Sequence, residues 1–380
     1  MVARLYSVSP WGNLTGAPIC ALEHLRVLKS SFEEVCLVLC QRGPLEDRAR
    51  EAGVPTWCSP FAFRGLRHAG ARKFLRHVGE VARSRWAYVR GLHRLLKEKP
   101  GVLHIHSRAA HLPYALLAGR WAGAPVVVTV HEPWTGGLEA WSEWGMIRLL
   151  ANRVVFLTHA MAAQYPRAPK RTAVIYNPLP LPPERLPPEN PRPVVGMVAQ
   201  MVKAKGTDVF LRVCRRLQEK GGAFEAWMVG HWLEEAERAE AGRFIEENRL
   251  DGAVSIRGVQ DRMDLIYERM EVLLLPTRRD SFPRVVMEAM GHGIPVVATR
   301  VDGIPEMVED GVTGFLVESG DVEGFAQAVE RLLENKGLRG QLGAAGRARA
   351  EQLFSPAKYV EAMNRIYAGL RRRADPGGAA

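Results

Sequence analysis

The sequence predicts an α/β protein built from two Rossmann-like halves, each around a parallel sheet. Short apolar runs alternate with helical patterns from end to end, the signature of parallel α/β architecture. The alternation breaks once, at a proline-dense stretch over residues 177–193, and then restarts. The length of 380 residues suits two domains of ordinary size.

In the first half, strands are expected at residues 3–8, 35–39, 102–105, 126–130, 154–157 and 172–175. Helices are expected at 18–28, 45–52, 78–97 and 112–122. Proline fixes φ and removes N–H donors, so 177–193 reads as a semi-rigid connector rather than a packed helix or central strand. In the second half, strands are expected at 194–198, 226–229, 254–256, 272–275, 295–298 and 315–317. Helices should cover 207–218, 233–248, 263–268, 285–291, 322–334 and 355–370. The organisation that follows is a first domain at 1–180, a linker at 181–193, a second domain at 194–354, and a closing helix with a flexible tail at 355–380. Two such halves imply a cleft, and ligands of open parallel sheets sit beyond the strands' carboxyl ends.

Hydrophobic residues make up 47% and charged residues 24%, the composition of a soluble globular enzyme. A net charge of +11 favours anionic partners. These include nucleotides, phosphorylated lipids, anionic membrane and nucleic acid, and charge alone does not choose among them. The five cysteines, Cys20, Cys36, Cys40, Cys58 and Cys214, form no Cys-x-x-Cys pair and read as reduced thiols. Cys36 and Cys40 sit in an apolar run as small hydrophobes. No apolar run approaches the roughly 20 residues of a spanning helix. Residues 1–8 read as a strand rather than an export signal. A cytoplasmic protein is expected, free to lie against the inner face of a membrane.

The most informative stretch is Asp280-Ser-Phe-Pro-Arg-Val-Val-Met-Glu288. A strand ends before it, and a helix starts near Pro283, proline being favoured in a first turn. Asp280 and Ser281 are natural capping residues there. Such a helix start suits a diphosphate. Asp280 would accept from sugar hydroxyls and Glu288 from a ribose diol, or else Asp280 merely caps and Glu288 makes a surface ion pair.

With Gly293-Ile-Pro-Val-Val-Ala298, Gly303-Ile-Pro-Glu306 and Asp310-Gly-Val-Thr-Gly314, this segment resembles the donor-site signature of family-4 retaining glycosyltransferases of GT-B fold. The resemblance implies parallel sheets facing a central cleft, an acceptor-binding first domain and a nucleotide-sugar-binding second domain. It implies that Glu288 binds the nucleotide ribose and Asp280 the transferred sugar, with Ser281, Phe282, Pro283, Arg284 and Val285 around the donor. Aspartate at position 280 is one methylene shorter than the family's glutamate, and Pro283 lacks the N–H that glycine would offer.

The leaving diphosphate needs positive charge. The sequence has no Asp-x-Asp motif, and the resemblance implies no metal requirement; no cofactor is expected. Fixed cations and oriented N–H groups are the other route. Lys205-Gly206 resembles the family's phosphate-binding Lys-Gly; the bland alternative is a solvated loop lysine. Where the family usually has arginine, this chain has the neutral Gln200, with Lys203 nearby. Between the first strand and first helix, Gly12-Asn-Leu-Thr-Gly-Ala-Pro18 is similar to the family's glycine-rich loop, and Gly16 and Ala17 are the candidates. A bare turn would look the same.

His131 follows a buried strand, and the resemblance places it against the transferred sugar. His104 and His106 look like the family's strand terminus, structural or acceptor-side, and His159 stands where the family often has serine. Residues 61–99 are rich in base: Arg64, Arg67, Arg72, Lys73, Arg76, Arg83, Arg85, Arg90, Arg94, Lys97 and Lys99, interleaved with Phe61, Phe63, Leu66, Phe74, Leu75, Trp86 and Tyr88. This segment is either a solvated basic face or a support on anionic lipid. No recognised motif accompanies the charge, so nucleic acid is not expected.

The function expected is metal-independent, retaining transfer of a hexosyl group from a UDP- or GDP-type sugar to a carbohydrate or lipid-linked acceptor. Front-face substitution, with the leaving phosphate taking the acceptor's proton and domain closure excluding water, is the simplest route. Two alternatives stand beside it. A dinucleotide oxidoreductase lacks a well-placed Gly-x-Gly-x-x-Gly here. A non-catalytic nucleotide-sugar or polysaccharide-binding protein of the same fold is compatible with Gln200 and Asp280.

Overall fold

The apolar runs of the first half become one parallel sheet. The computed structural model describes residues 4–9, 12, 16–59, 71–106, 112–185 and 188–374. The strands are β1 (Arg4–Ser9), β2 (Glu34–Leu39), β3 (Thr56–Cys58), β4 (Val102–His106), β5 (Val126–Val130), β6 (Arg153–Phe156) and β7 (Thr172–Val174). Their order across the sheet is β3-β2-β1-β4-β5-β6-β7. Every residue of β4 and β5 is buried; β5 reads as a near-continuous apolar run, whereas β4 carries the buried His104 and His106 within it. The edge strand β3 was not expected: its three residues are half-buried and too few to show a period.

The helices of this half are α1 (Gly16–Leu28), α2 (Pro44–Glu51), α3 (Ala71–Glu98), α4 (Leu112–Ala122), α5 (Gly137–Leu150) and α6 (His159–Gln164). Helix α5 escaped the sequence reading because it is apolar on both sides. Ala140, Trp144 and Ile147 are buried while Leu138, Trp141 and Leu149 are exposed, so no amphipathic period remains. Helix α6 is only six residues long, and it is capped by Thr158, whose hydroxyl accepts from the Met161 N–H at 3.0 Å. Helix α3 begins seven residues earlier than expected. The side chains of residues 71–79 and everything from 60 to 70 lie outside the described residues. So, therefore, do Arg64, Arg67, Arg72, Lys73 and Arg76 of the basic segment.

The second sheet holds β8 (Val194–Val198), β9 (Glu225–Val229), β10 (Val254–Gly258), β11 (Val272–Leu275), β12 (Val296–Thr299) and β13 (Gly314–Val317), in the order β10-β9-β8-β11-β12-β13. Its helices are α7 (Thr207–Glu219), α8 (Glu235–Glu247), α9 (Met263–Arg269), α10 (Arg284–Gly291), α11 (Ile304–Met307), α12 (Val322–Glu334) and α13 (Lys336–Leu353). Helices α11 and α13 were not expected. The first has four residues, and the second is rich in glycine, alanine and arginine with little apolar contrast. Asn335 starts α13 by accepting the Leu338 N–H at 2.9 Å. Both sheets are doubly wound, with the chain leaving in opposite directions from β1 and β4, and from β8 and β11.

The chain forms two compact units. One contains residues up to Pro178 together with those from Pro356 onward, and the other is Leu179–Ser355. The last helix, α14 (Pro356–Ala374), thus belongs with the first sheet. The proline-rich stretch counts with the second unit and is held along it. Arg185 donates to the carbonyls of His292 (2.8 Å) and Tyr267 (2.9 Å), and the Asn190 amide reaches Glu271. Among the described residues, no helix is long and apolar enough to cross a membrane.

Candidate active site

The second unit brings its chemistry together where its sheet divides. Strands β8 and β11 are neighbours, and the loops leaving their carboxyl ends carry Lys205 and Asp280. This is the position at which doubly wound sheets bind ligands. Gly206 lets the two loops meet. Its φ is +81°, and a Cβ there would stand 2.0 Å from the Pro276 carbonyl oxygen. The contact is then tied by hydrogen bonds. The Arg278 N–H donates to the Ala204 carbonyl at 2.9 Å, and the Thr277 hydroxyl reaches the same carbonyl at 3.2 Å. The Arg278 guanidinium makes a two-pronged bond to Asp208, 2.8 Å on each side, and also donates to the Lys203 carbonyl.

On this frame the Lys205 ammonium sits 2.5 Å from Asp280 Oδ2. Lys205 and Asp280 are 28% and 17% exposed at the side chain, so the pair is sheltered yet reachable. Asp280 is fixed from behind. Its own N–H donates to Asp302 Oδ2 at 3.0 Å, and Asp302 holds a left-handed backbone, φ +46°, unusual for a residue with a side chain. Asp280 therefore does not cap the following helix, contrary to expectation. The residue before α10 is Pro283, with no side-chain cap, and Asp280 is spent on Lys205 instead.

Glu288, in the second turn of α10, is held at both oxygens. Arg284 donates to Oε1 at 2.8 and 3.2 Å, and the Tyr267 hydroxyl donates to Oε2 at 2.8 Å. Burial, with the Glu288 charge beside it, pushes the Tyr267 phenol well above its ordinary range, so it stays a donor. A carboxylate has about four acceptor directions, so Glu288 retains capacity for a diol.

The other expected donor contacts divide. Phe282 is buried and packs edge-on against Phe354, ring centroids 5.7 Å apart, so its side chain serves the core. Pro283 is buried too, and Val285 is half-buried. Ser281 is buried with its hydroxyl unpartnered among the described residues. Gln200 is exposed. Lys203, the other cation near this position, is paired at the surface with Glu240 at 3.0 Å.

In the first unit, Gly12 is explained by packing: a Cβ there would fall 2.6 Å from the Gln41 carbonyl oxygen. Gly16 is different. It opens α1, is exposed, and a Cβ there meets nothing within 4 Å, so the protein's own packing does not demand glycine. Ala17 is half-buried beside it, and residues 13–15 lie outside the described residues.

His131 leads into a buried network that the sequence reading had only in part. Its Nε2 lies 3.2 Å from His106 Nδ1. The His106 ring stacks on His104 at 4.4 Å, and His104 bonds Tyr367 (2.7 Å) and Thr129 (2.7 Å). Tyr367 continues to His24 at 2.9 Å, and His24 to Tyr359 at 2.6 Å. Neutral imidazoles, each one donor and one acceptor, satisfy the run from Tyr359 to Thr129. Burial lowers His24 to about 3 and holds His104, His106 and His131 well below their ordinary range. His24, His104 and His106 cluster closely enough to suggest a metal. The nitrogens of His24 and His104, however, are already taken by hydroxyls at 2.6 to 2.9 Å, which argues for a structural cluster. His24, Tyr359 and Tyr367 left no sequence signal: the His24–Tyr359 bond spans 335 positions.

Comparison with known proteins fits this construction. Residues 15–181 match the family model described as Glycosyltransferase Family 4, and residues 192–335 match Glycosyl transferases group 1. The chain belongs to this glycosyltransferase family and has the GT-B fold. Among its relatives are the capsular polysaccharide biosynthesis glycosyltransferase CapM of Staphylococcus aureus, 31% identical over 46% of this chain and 45% of the relative. Another is the N-acetyl-alpha-D-glucosaminyl L-malate synthase of Bacillus anthracis, 32% identical over 34% of each chain. These matches span less than half the length of the curated relatives. Anabaena Alr3699/HepE, solved with UDP and glucose, superposes with a TM-score of 0.83 at 18% identity, covering 97% of this chain and 100% of that one, a likeness of fold.

Proposed function

We propose that the protein transfers a hexosyl group from a nucleoside diphosphate sugar to an acceptor hydroxyl, with retention of configuration, in the assembly of a cell-surface polysaccharide or glycolipid. The observation that carries this is the Lys205–Asp280 pair at the division of the second sheet, with Glu288, on the helix α10 that follows Asp280, held by Tyr267 and Arg284. The pair is poised for exchange. An incoming diphosphate takes the Lys205 ammonium, and Asp280, released, accepts from a sugar hydroxyl. Glu288 takes the ribose diol. As the glycosidic bond breaks, Lys205 and the start of α10 stabilise the leaving diphosphate, whose oxygen accepts the acceptor's proton. No residue of the chain is assigned to hold a metal. His131 is given to the transferred sugar on the family resemblance alone. The solved relatives carrying UDP and UDP-glucose support a uridine donor.

A thermal-shift panel of UDP-, GDP- and ADP-sugars identifies the donor, because a ligand of the folded form raises its apparent stability. Transfer is then followed in Lys205→Ala and Glu288→Ala, with the product anomer read by NMR and chelator added in parallel. The expected outcome is loss of turnover in both variants, a retained anomer and no effect of chelator. Full turnover in both variants overturns the assignment. Donor binding without transfer or hydrolysis favours a binding protein instead.

A further inference from the structure

The first unit carries an outward surface that the donor site does not use. From the edge strand β3 the chain passes back over β2 and β1 to β4 and runs on through β5 to β6, by way of α3, α4 and α5, and right-handed crossovers in this one direction put the three helices on one face. Helix α3 packs on α4, and α4 on α5. Their outer side is unusual. It holds Trp86, Leu117, Trp121, Leu138, Trp141 and Leu149, all exposed, with Leu138 at 92% and Leu149 at 78%. Every exposed tryptophan among the described residues is here. Trp86 and Trp121 stack across the α3–α4 seam at 6.0 Å, and Arg90 lies over Trp86. Exposed bases run beside them: Arg83, Arg90, Arg94 and Lys97 along α3, and Arg120 on α4. The exposed acids of these helices are Glu80, Glu98 and Glu139.

We infer that the outer face of α3, α4 and α5 seats the protein on an anionic lipid bilayer, with Trp86, Trp121 and Trp141 entering the headgroup region. Large apolar side chains scattered over three helices cost solubility unless something covers them. Tryptophan is the side chain suited to the boundary between water and acyl chains. The bases select a negative surface. The occupant is therefore an extended, anionic, partly apolar plane. This surface extends to α4 and α5, well beyond the basic segment of α3, and it stands whether or not the donor assignment holds.

The test is co-sedimentation of the full chain with vesicles of phosphatidylcholine alone or mixed with phosphatidylglycerol, at low and high salt. Two triple variants are compared: Arg83→Gln with Arg90→Gln and Arg94→Gln, and Trp86→Ser with Trp121→Ser and Trp141→Ser. The wild type should pellet with the anionic vesicles only, and less at high salt. At about fivefold per base, the arginine variant should partition roughly a hundredfold less. The tryptophan variant should lose about tenfold or more. Both should keep the wild-type melting temperature and far-ultraviolet circular dichroism, showing that they fold. Failure of the wild type to pellet with anionic vesicles overturns the inference, as does unchanged binding by both variants. Pelleting that ignores vesicle charge overturns the role of the bases. Co-sedimentation with an acidic polysaccharide in place of vesicles assigns the face to acceptor instead.

Discussion

Replacing Gly206 with alanine perturbs the contact on which Lys205 depends. The new methyl group would lie 2.0 Å from the Pro276 carbonyl oxygen and 2.7 Å from its carbon, so one loop must move. Alanine at φ +81° also bears a left-handed backbone cost of about 1–2 kcal/mol. Overpacking against rigid backbone adds about 1–3 kcal/mol. Gly221 supplies the control. It has φ +79° in the same unit, but a Cβ there meets nothing within 4 Å, so Gly221→Ala bears the backbone cost alone. In a unit of this size about 1 kcal/mol corresponds to roughly 2–4 °C. Gly206→Ala should therefore melt roughly 2–12 °C below Gly221→Ala by calorimetry. Displacing Lys205 by about 1 Å should also cost on the order of a hundredfold in turnover, with Gly221→Ala near wild type. Equal melting temperatures, or full turnover by Gly206→Ala, would refute the view that this close approach holds the lysine in place.

Tyr267→Phe removes the hydroxyl that donates to Glu288 at 2.8 Å. Hydrogen bonds to charged groups contribute about 1.5–3 kcal/mol, so calorimetric affinity for the nucleotide should fall about tenfold or more. Asp302 is a positioning residue. Asp302→Asn keeps an acceptor and tolerates φ +46°, whereas Asp302→Ala keeps neither. The expectation is about tenfold lower kcat/KM in the alanine variant, largely rescued in the asparagine variant, and equal loss in both points to charge rather than positioning. The buried histidines make the first unit acid-sensitive. Because His24 falls from 6.5 to about 3 on folding, the unfolded chain binds its proton first as pH drops. This stability is complete above about pH 6.5, and about 2 kcal/mol of it is lost by about pH 5. His104 and His106 shift in the same direction and add to the loss. Urea titrations of the intact chain near neutrality and near pH 5 measure it, and a flat profile contradicts a neutral cluster.

The sequence showed the strands best where they are buried on both sides, as in β5 and β11, because a near-continuous apolar run survives any tertiary arrangement. It missed β3, which is too short for a period, and α5, whose exposed leucines and tryptophan hide its inner face. The acidic positions of the candidate site were legible for a local reason. Asp280 and Glu288 lie in one strand–loop–helix unit, where spacing in sequence is spacing in space.

What the sequence alone determined was the alternation of elements, the restart after the prolines, and the residue types available for gripping an activated sugar. What only the folded chain decided was who partners whom. Asp280 bonds a lysine 75 positions away rather than its own helix, and Glu288 is held by Tyr267 from 21 positions away. Lys203 is drawn off to Glu240 on another helix. A carboxylate close to several candidate donors is committed by which backbone segments the sheet order brings within about 3 Å, and hydrogen-bond energy falls away steeply beyond that distance.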